Sequence, residues 1–322
     1  MTSPQAPQVP ETAPRTTAWI PRPGRAREGP RPVVVGLDPN PSHRWALDWA
    51  ADEADRRGLP LRIVYAQGLP TVRVTQADLL PSWEQWNRSL HEAGELALGD
   101  AVAYVEDRHP QLMVTVELAE GEPSWVLREQ APEASLIVLG SRRLSTGREL
   151  FTSASVALPV IAHAPCPVVV VREPEHTAGE PPHFVVGVDG SAEAAGALDF
   201  AFAEAALRGA SLRAVSVWHP AFLRNRDERA GHEAMLEAEL TQLVSEREAA
   251  YPAVKAGHEV VLGHPVHVLG EESARALGIV VGTRGLGGFT GMLLGSVSQG
   301  VLHHARCPVI TVPLAGKRRA EA

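Results

Sequence analysis

Leu277-Gly278-Ile279-Val280-Val281-Gly282-Thr283-Arg284-Gly285 runs from a short apolar, β-branched segment into a glycine-rich turn. After nine further residues comes Gly295-Ser296-Val297-Ser298. The apolar run has the length and composition of a buried strand. The stretch from Gly295 to His304 reads as a helix that stops before Cys307-Pro308. A strand that leaves through glycines, followed by a helix whose first amides have no internal partners, is an arrangement that can cradle a phosphate. The hydroxyls of Ser296 and Ser298 add donors at the same helix end. Glycines alone are weak evidence, because such loops also serve as plain turns.

Working outward, the chain repeats itself. Val33-Val34-Val35-Gly36-Leu37-Asp38 is echoed by Phe184-Val185-Val186-Gly187-Val188-Asp189, and Ala46-Leu47-Asp48-Trp49-Ala50 by Ala197-Leu198-Asp199-Phe200-Ala201. Leu136 to Gly140 matches Gly278 to Gly282, and His163-Ala164-Pro165-Cys166-Pro167 matches His304-Ala305-Arg306-Cys307-Pro308. The offset drifts from 151 at the aspartates (189 minus 38) to 141 at the cysteines (307 minus 166), so loops differ while elements persist. Four blocks in the same order identify a duplicated unit.

Each unit alternates strand and helix. Strands are expected near 32–37, 61–65, 112–118, 135–139 and 167–171, and again near 184–188, 211–217, 258–262, 277–281 and 308–312. Amphipathic helices are expected between them, at 42–57, 83–107, 122–131 and 154–163, then 191–208, 226–249, 264–274 and 295–305. Short apolar strands joined by helical crossovers argue for α/β domains with parallel, doubly wound sheets. The organisation expected is a disordered leader at 1–31, a first domain at 32–173, a linker at 174–182, a second domain at 183–316 and a polar tail at 317–322.

The spacing G-x-x-G-x9-G-S, with the acidic residue ending the first strand of each unit, resembles the nucleotide loop of the universal stress protein family. The resemblance covers nearly everything from Pro32 to Pro313 as two tandem copies. It implies Rossmann-like, adenine nucleotide alpha hydrolase-like domains, each with a five-stranded parallel sheet of order 3-2-1-4-5. Ligands in such sheets bind at the carboxyl ends of the strands, where the order reverses. The implied ligand is ATP, with AMP or another adenine nucleotide and an accompanying Mg2+ as variants. In the second unit the implied binding residues are Asp189, Val217, Gly282, Thr283, Arg284, Gly285, Gly295, Ser296, Val297 and Ser298. Asp189 would meet ribose or adenine, unless it caps the following helix, a task Ser191 can also perform. Val217 would offer its backbone to adenine, unless it is ordinary strand core.

The first unit departs from the motif. Asp38, Gly140 and Ser155 are retained, but Arg143 stands where the second glycine belongs and Ala154 where the third does. The spacer is one residue longer, and Gly190-Ser191 becomes Pro39-Asn40. Arginine cannot enter glycine's backbone conformations cheaply, so this unit is expected to bind nucleotide weakly or not at all.

A net charge of −8 over 322 residues gives no basic footprint for nucleic acid, and no apolar run is long enough to span a membrane. Two cysteines, equivalently placed in the two units, suggest a reducing, cytoplasmic setting rather than a disulfide framework. His163 with Cys166 and His304 with Cys307 lack the further ligands that zinc needs. No Ser/His/Asp arrangement is recognisable, so no catalytic residue is assigned. The expected role is a nucleotide-dependent stress or signalling module. Its last strands would pair to make an internal pseudo-dimer, with a homodimer and an unidentified protein partner as further associations. A slow ATP hydrolase or nucleotidyl-transfer enzyme on the same scaffold, or a nucleotide-free interaction protein, are the alternatives.

Overall fold

The computed structural model describes residues 29–40, 44–68, 83–141, 156–172, 181–219, 226–286 and 294–314. The expected leader before Gly29, most of the linker, the tail, and Arg143, Ala154 and Ser155 lie outside them.

The first half runs β1 (Val33–Gly36), α1 (Trp45–Arg57), β2 (Leu61–Gln67), α2 (Trp83–Arg108), β3 (Val114–Glu120), α3 (Pro123–Gln130), β4 (Leu136–Gly140), α4 (Ala157–His163) and β5 (Val168–Val171). The second repeats the order as β6 (His183–Gly187), α5 (Ala192–Arg208), β7 (Ser211–Trp218), α6 (Arg226–Glu248), β8 (Ala256–Leu262), α7 (Pro265–Glu272), β9 (Gly278–Gly282), α8 (Ser296–His304) and β10 (Val309–Val312). Both α3 and α7 tighten into a 3-10 turn before the next strand. Strand order is β3-β2-β1-β4-β5 in the first half and β8-β7-β6-β9-β10 in the second, parallel throughout each. The fold is α/β, doubly wound and Rossmann-like.

The two halves share one sheet. β5 and β10 pair antiparallel, Ile310 opposite Val169, which joins ten strands and relates the halves by a local two-fold. The central strands carry Val, Ile and Leu on both faces because helices cover both. Val33, Val35, Val138 and Val186 face α1, α2, α5 and α6, whereas Val34, Ile137, Val185 and Ile279 face the shorter helices.

Beside the shared strands, α1 and α5 meet around four charges. Glu53 and Glu204, both fully buried, each bridge Arg57 and Arg208. Arg57 lies 5.6 Å from the Phe200 ring and Arg208 5.5 Å from that of Trp49. The four positions are related by the offset of 151 (204 minus 53, 208 minus 57), so the two-fold maps the quartet onto itself. Each carboxylate meets two guanidinium groups, which is how charges survive without water. Arg172, just after β5, donates to the carbonyls of Leu302 and His303 at the end of α8 and ties the first half to the second.

Candidate functional site

The strand order reverses at β6 and β9, and the expected residues of the second half converge above that point. β6 stops at Gly187, paired with Val215, while β7 continues to Trp218. The carbonyl of Val215 accepts from Val188 N–H at 2.9 Å. Two residues on, the backbone of Val217 faces the same side, beyond the end of β6. Its side chain is half-buried against the face that carries α7, so it is both strand core and a backbone edge of the crevice.

Asp189 follows β6 and is exposed. One carboxylate oxygen accepts from Ser191 N–H at 3.1 Å and from Ser191 Oγ at 2.6 Å. Ser191 in turn caps α5, accepting from Ala194 N–H at 3.1 Å. The aspartate therefore holds the cap and does not form it. Gly190 makes the turn with φ +78°, in the left-handed region that favours glycine.

Opposite Asp189 lies the turn that leaves β9. Thr283 N–H donates to Val312 O at 3.0 Å, and Gly295 N–H donates to Thr283 O at 2.9 Å, so the loop's two ends are stitched together. Leu286 N–H donates to the second oxygen of Asp189 at 3.0 Å. A Cβ on Gly285 would sit 2.1 Å from that oxygen, and one on Gly282 would sit 2.8 Å from Glu193 Cβ. Close approach to backbone requires a glycine at 282, whereas a side chain at 285 would displace the Asp189 carboxylate. A Cβ on Gly295 would make ordinary contacts among the described residues, none nearer than 3.4 Å, so packing admits a methyl there. Arg284, between them, is half-buried.

Gly295 is the N-cap of α8, and no side chain caps this helix, whereas Ser191 caps α5 and Glu122 caps α3. The first amides of α8, those of Ser296, Val297 and Ser298, have no intrahelical acceptors and carry the positive end of the helix dipole. One expectation needs correcting: the buried Ser298 hydroxyl is no free donor, because it donates to the Gly282 carbonyl at 2.6 Å. It pins the strand's end to the helix start instead. The Ser296 side chain is exposed at the crevice rim.

The first half shows less of this. Asp38 makes the equivalent turn, accepting from Asn40 N–H at 3.0 Å. Yet Gly140 is exposed, and among the described residues a Cβ there would meet only Ala46 Cβ at 3.7 Å. Neither cysteine offers chemistry: burial pushes the thiols of Cys166 and Cys307 up to about 12. Among the described residues no group of three His, Cys, Asp or Glu side chains is placed to hold a metal.

Two features escaped the sequence reading. The Glu53–Arg57–Glu204–Arg208 quartet carries a signal, an i,i+4 Glu–Arg pair repeated at the duplication offset, although its partners across the halves follow only from the fold. The buried polar ends of β2 and β7, Gln67 and Trp218, carry none.

Comparison with known proteins agrees with this architecture. The model of the Universal stress protein family matches residues 30–172 and again 182–313. Universal stress protein Rv2005c of Mycobacterium tuberculosis is 35% identical over 293 residues, spanning 86% of this chain and 95% of its own. Universal stress protein Rv2623 of the same organism is 31% identical over 288 residues, with the same two coverages. The crystal structure of a universal stress protein from Archaeoglobus fulgidus superposes with a TM-score of 0.65 at 18% identity, covering 90% of this chain and 98% of that one. Among the described residues no helix is long and apolar enough to cross a membrane.

Proposed function

The chain belongs to the universal stress protein family and carries its domain twice, and from that premise we propose that the second half binds an adenine nucleotide, ATP first, while the first half does not. The observation that carries the proposal is the uncapped start of α8 at Gly295, folded beside the Gly282–Gly285 turn and opposite Asp189. The donor set suits a polyphosphate: amides of Ser296, Val297 and Ser298, the Arg284 guanidinium, and a glycine at the cap that leaves the anion room. Asp189 has accepted three protein donors, and its two oxygens offer about four acceptor positions, so one remains for a ribose hydroxyl. Val217 supplies a backbone edge where an adenine ring would lie. Mg2+ would arrive with the phosphates. The nucleotide then acts as a signal, stiffening the turn between β9 and α8 and so altering the surface a protein partner or a second copy meets. The boundary between the two working units falls in residues 174–182.

The test is a titration of the nucleotide-free protein with ATP, beside a Gly295→Val variant. A Cβ at that position makes only ordinary contacts, of 3.4 Å or more, so the variant is expected to fold, which a melting curve run beside the titration checks, and to lose ATP by at least tenfold. An unchanged affinity in Gly295→Val would place the nucleotide elsewhere.

A further inference from the structure

Arg172 breaks the two-fold. It follows β5 as Pro313 follows β10, by the offset of 141 (313 minus 172). The match is structural too, since the preceding carbonyls, of Val171 and Val312, take the N–H of Ser141 and Thr283 at 2.8 and 3.0 Å. The same place thus holds a guanidinium in the first half and a ring without donors in the second. Half-buried, Arg172 reaches out of its own half. One guanidinium nitrogen donates to the Leu302 carbonyl, and the other to that of His303 at 3.3 Å. Both are among the last four carbonyls of α8, which lack intrahelical donors. The backbone past the helix does not supply them. Ala305 N–H goes to Val301 O, and Arg306 N–H goes to Ser273 Oγ at 2.9 Å. The first half provides the donor instead.

The helix held in this way is the one whose first amides form the phosphate end of the crevice. It has nine residues, which is about 13 Å at 1.5 Å per residue. It is gripped along its whole length. Ser298 Oγ donates to Gly282 O at 2.6 Å near the start, a Cβ on Gly300 would clash with Val266 of α7 in the middle, and Arg172 holds the end. A short helix packed on both sides shifts as one piece, so what fixes its last turn also aims its first amides. Charge acts in the same sense, because a cation at the carboxyl end and an anion at the amino end both complement one helix dipole. In the first half the residues matching Leu302 and His303 are Ile161 and Ala162, and Pro313 has no donor for their carbonyls.

Resting on the nucleotide reading above, we propose that Arg172 is a positioning residue for the nucleotide of the second half. The first half holds α8 from behind, and the phosphate end of the crevice over β6 is complete only while it does. On this reading the first half serves the site without taking a ligand of its own. The coupling is reciprocal. A phosphate seated on the first amides of α8 strengthens the hold of Arg172 on its last carbonyls, so occupancy of one half is felt in the other.

The experiment titrates ATP into the full chain as wild type, Arg172→Met and Arg172→Lys, well below each melting temperature. Methionine keeps an apolar stem and removes the donors, whereas lysine keeps a charge that can reach a carbonyl. The account expects ATP to bind Arg172→Met about fivefold more weakly than wild type, with Arg172→Lys in between. Amide hydrogen exchange adds a readout that a merely structural arginine would not move. ATP should slow exchange at residues 302–305 of the wild type, and slow it less in Arg172→Met. Equal ATP affinity in all three proteins, whatever their melting temperatures, overturns the proposal while leaving nucleotide binding intact. So does an equal slowing of exchange in wild type and Arg172→Met. Binding of no ATP to the wild type removes the functional reading, and this inference with it. Should both variants fail to fold, the Arg172 side-chain N–H resonance of the wild type decides: it moves when ATP binds, or the proposal falls.

Discussion

The two crevice mouths were built from one ancestral pattern and now differ most where a ligand would touch. Above β9, Gly282 is walled in by Glu193, Gly285 lies against Asp189, and Ser298 of α8 donates to the Gly282 carbonyl. Above β4, Gly140 is exposed, and among the described residues a Cβ there would meet Ala46 alone, at an ordinary 3.7 Å. In the interior the halves remain alike: Glu53 and Glu204 do the same task, and Val33–Gly36 and Phe184–Gly187 hold the same register. Duplication has kept what both halves need to pack.

The largest effect should come from the part that is still symmetric. Removing one carboxylate of the quartet leaves two partly buried guanidinium groups short of a partner, a loss of about 3 kcal/mol, the low end for a buried pair because both arginines keep some contact with water. Glu53→Ala and Glu204→Ala should therefore both shift the urea midpoint strongly and by similar amounts. A large loss in only one of them would break the claim that the two-fold is intact in the core.

Glycine replacements sharpen the contrast at the rim. In Gly282→Ala the new methyl meets Glu193 Cβ at 2.8 Å and two backbone atoms at 3.0 Å, so a cost of about 1–3 kcal/mol is expected. Among the described residues Gly140→Ala meets only Ala46 and should be neutral or stabilise by about 0.5 kcal/mol. Equal costs in chemical denaturation would mean the two turns are packed alike.

Much of this was legible beforehand. Leu277 to Gly285 announced a buried strand and a glycine turn because β-branched runs and glycines act locally, and the echo of Val33–Asp38 in Phe184–Asp189 let the second half's strands be read from the first's. What stayed hidden depended on distance through space. Nothing in the spacing says that Arg208 crosses to Glu53, that Leu286 reaches Asp189, or that the Ser298 hydroxyl is spent on Gly282. Hydrogen-bond partners of that kind are chosen by the fold.

A pH effect should separate the halves further. His303 sits in α8 where the first half has Ala162, by the offset of 141. Burial, then the Arg172 guanidinium and His304, hold its pKa below the usual histidine range. The unfolded chain therefore takes up a proton before the folded one, so stability is full above about pH 6.5 and falls as the pH drops through that value toward the folded pKa. Comparing wild type with His303→Ala at pH 7.5 and 5.5, the variant should show the shallower loss. An identical pH slope would remove His303 from the account.

The smallest effect concerns helix starts. Glu122 caps α3, accepting from Ser124 and Trp125 N–H, whereas His264 at the start of α7 makes no side-chain cap. Glu122→Ala should cost about 1 kcal/mol, and His264→Ala distinctly less, by thermal melts of the two variants.

Counting the nucleotide tests the central asymmetry most directly. The purified protein would be denatured, and the released adenine nucleotide identified by mass and quantified per chain, after saturation with ATP and removal of the excess. One per chain, lost in Gly295→Val, is the result this account predicts. Two per chain, or one that survives in Gly295→Val, would contradict it.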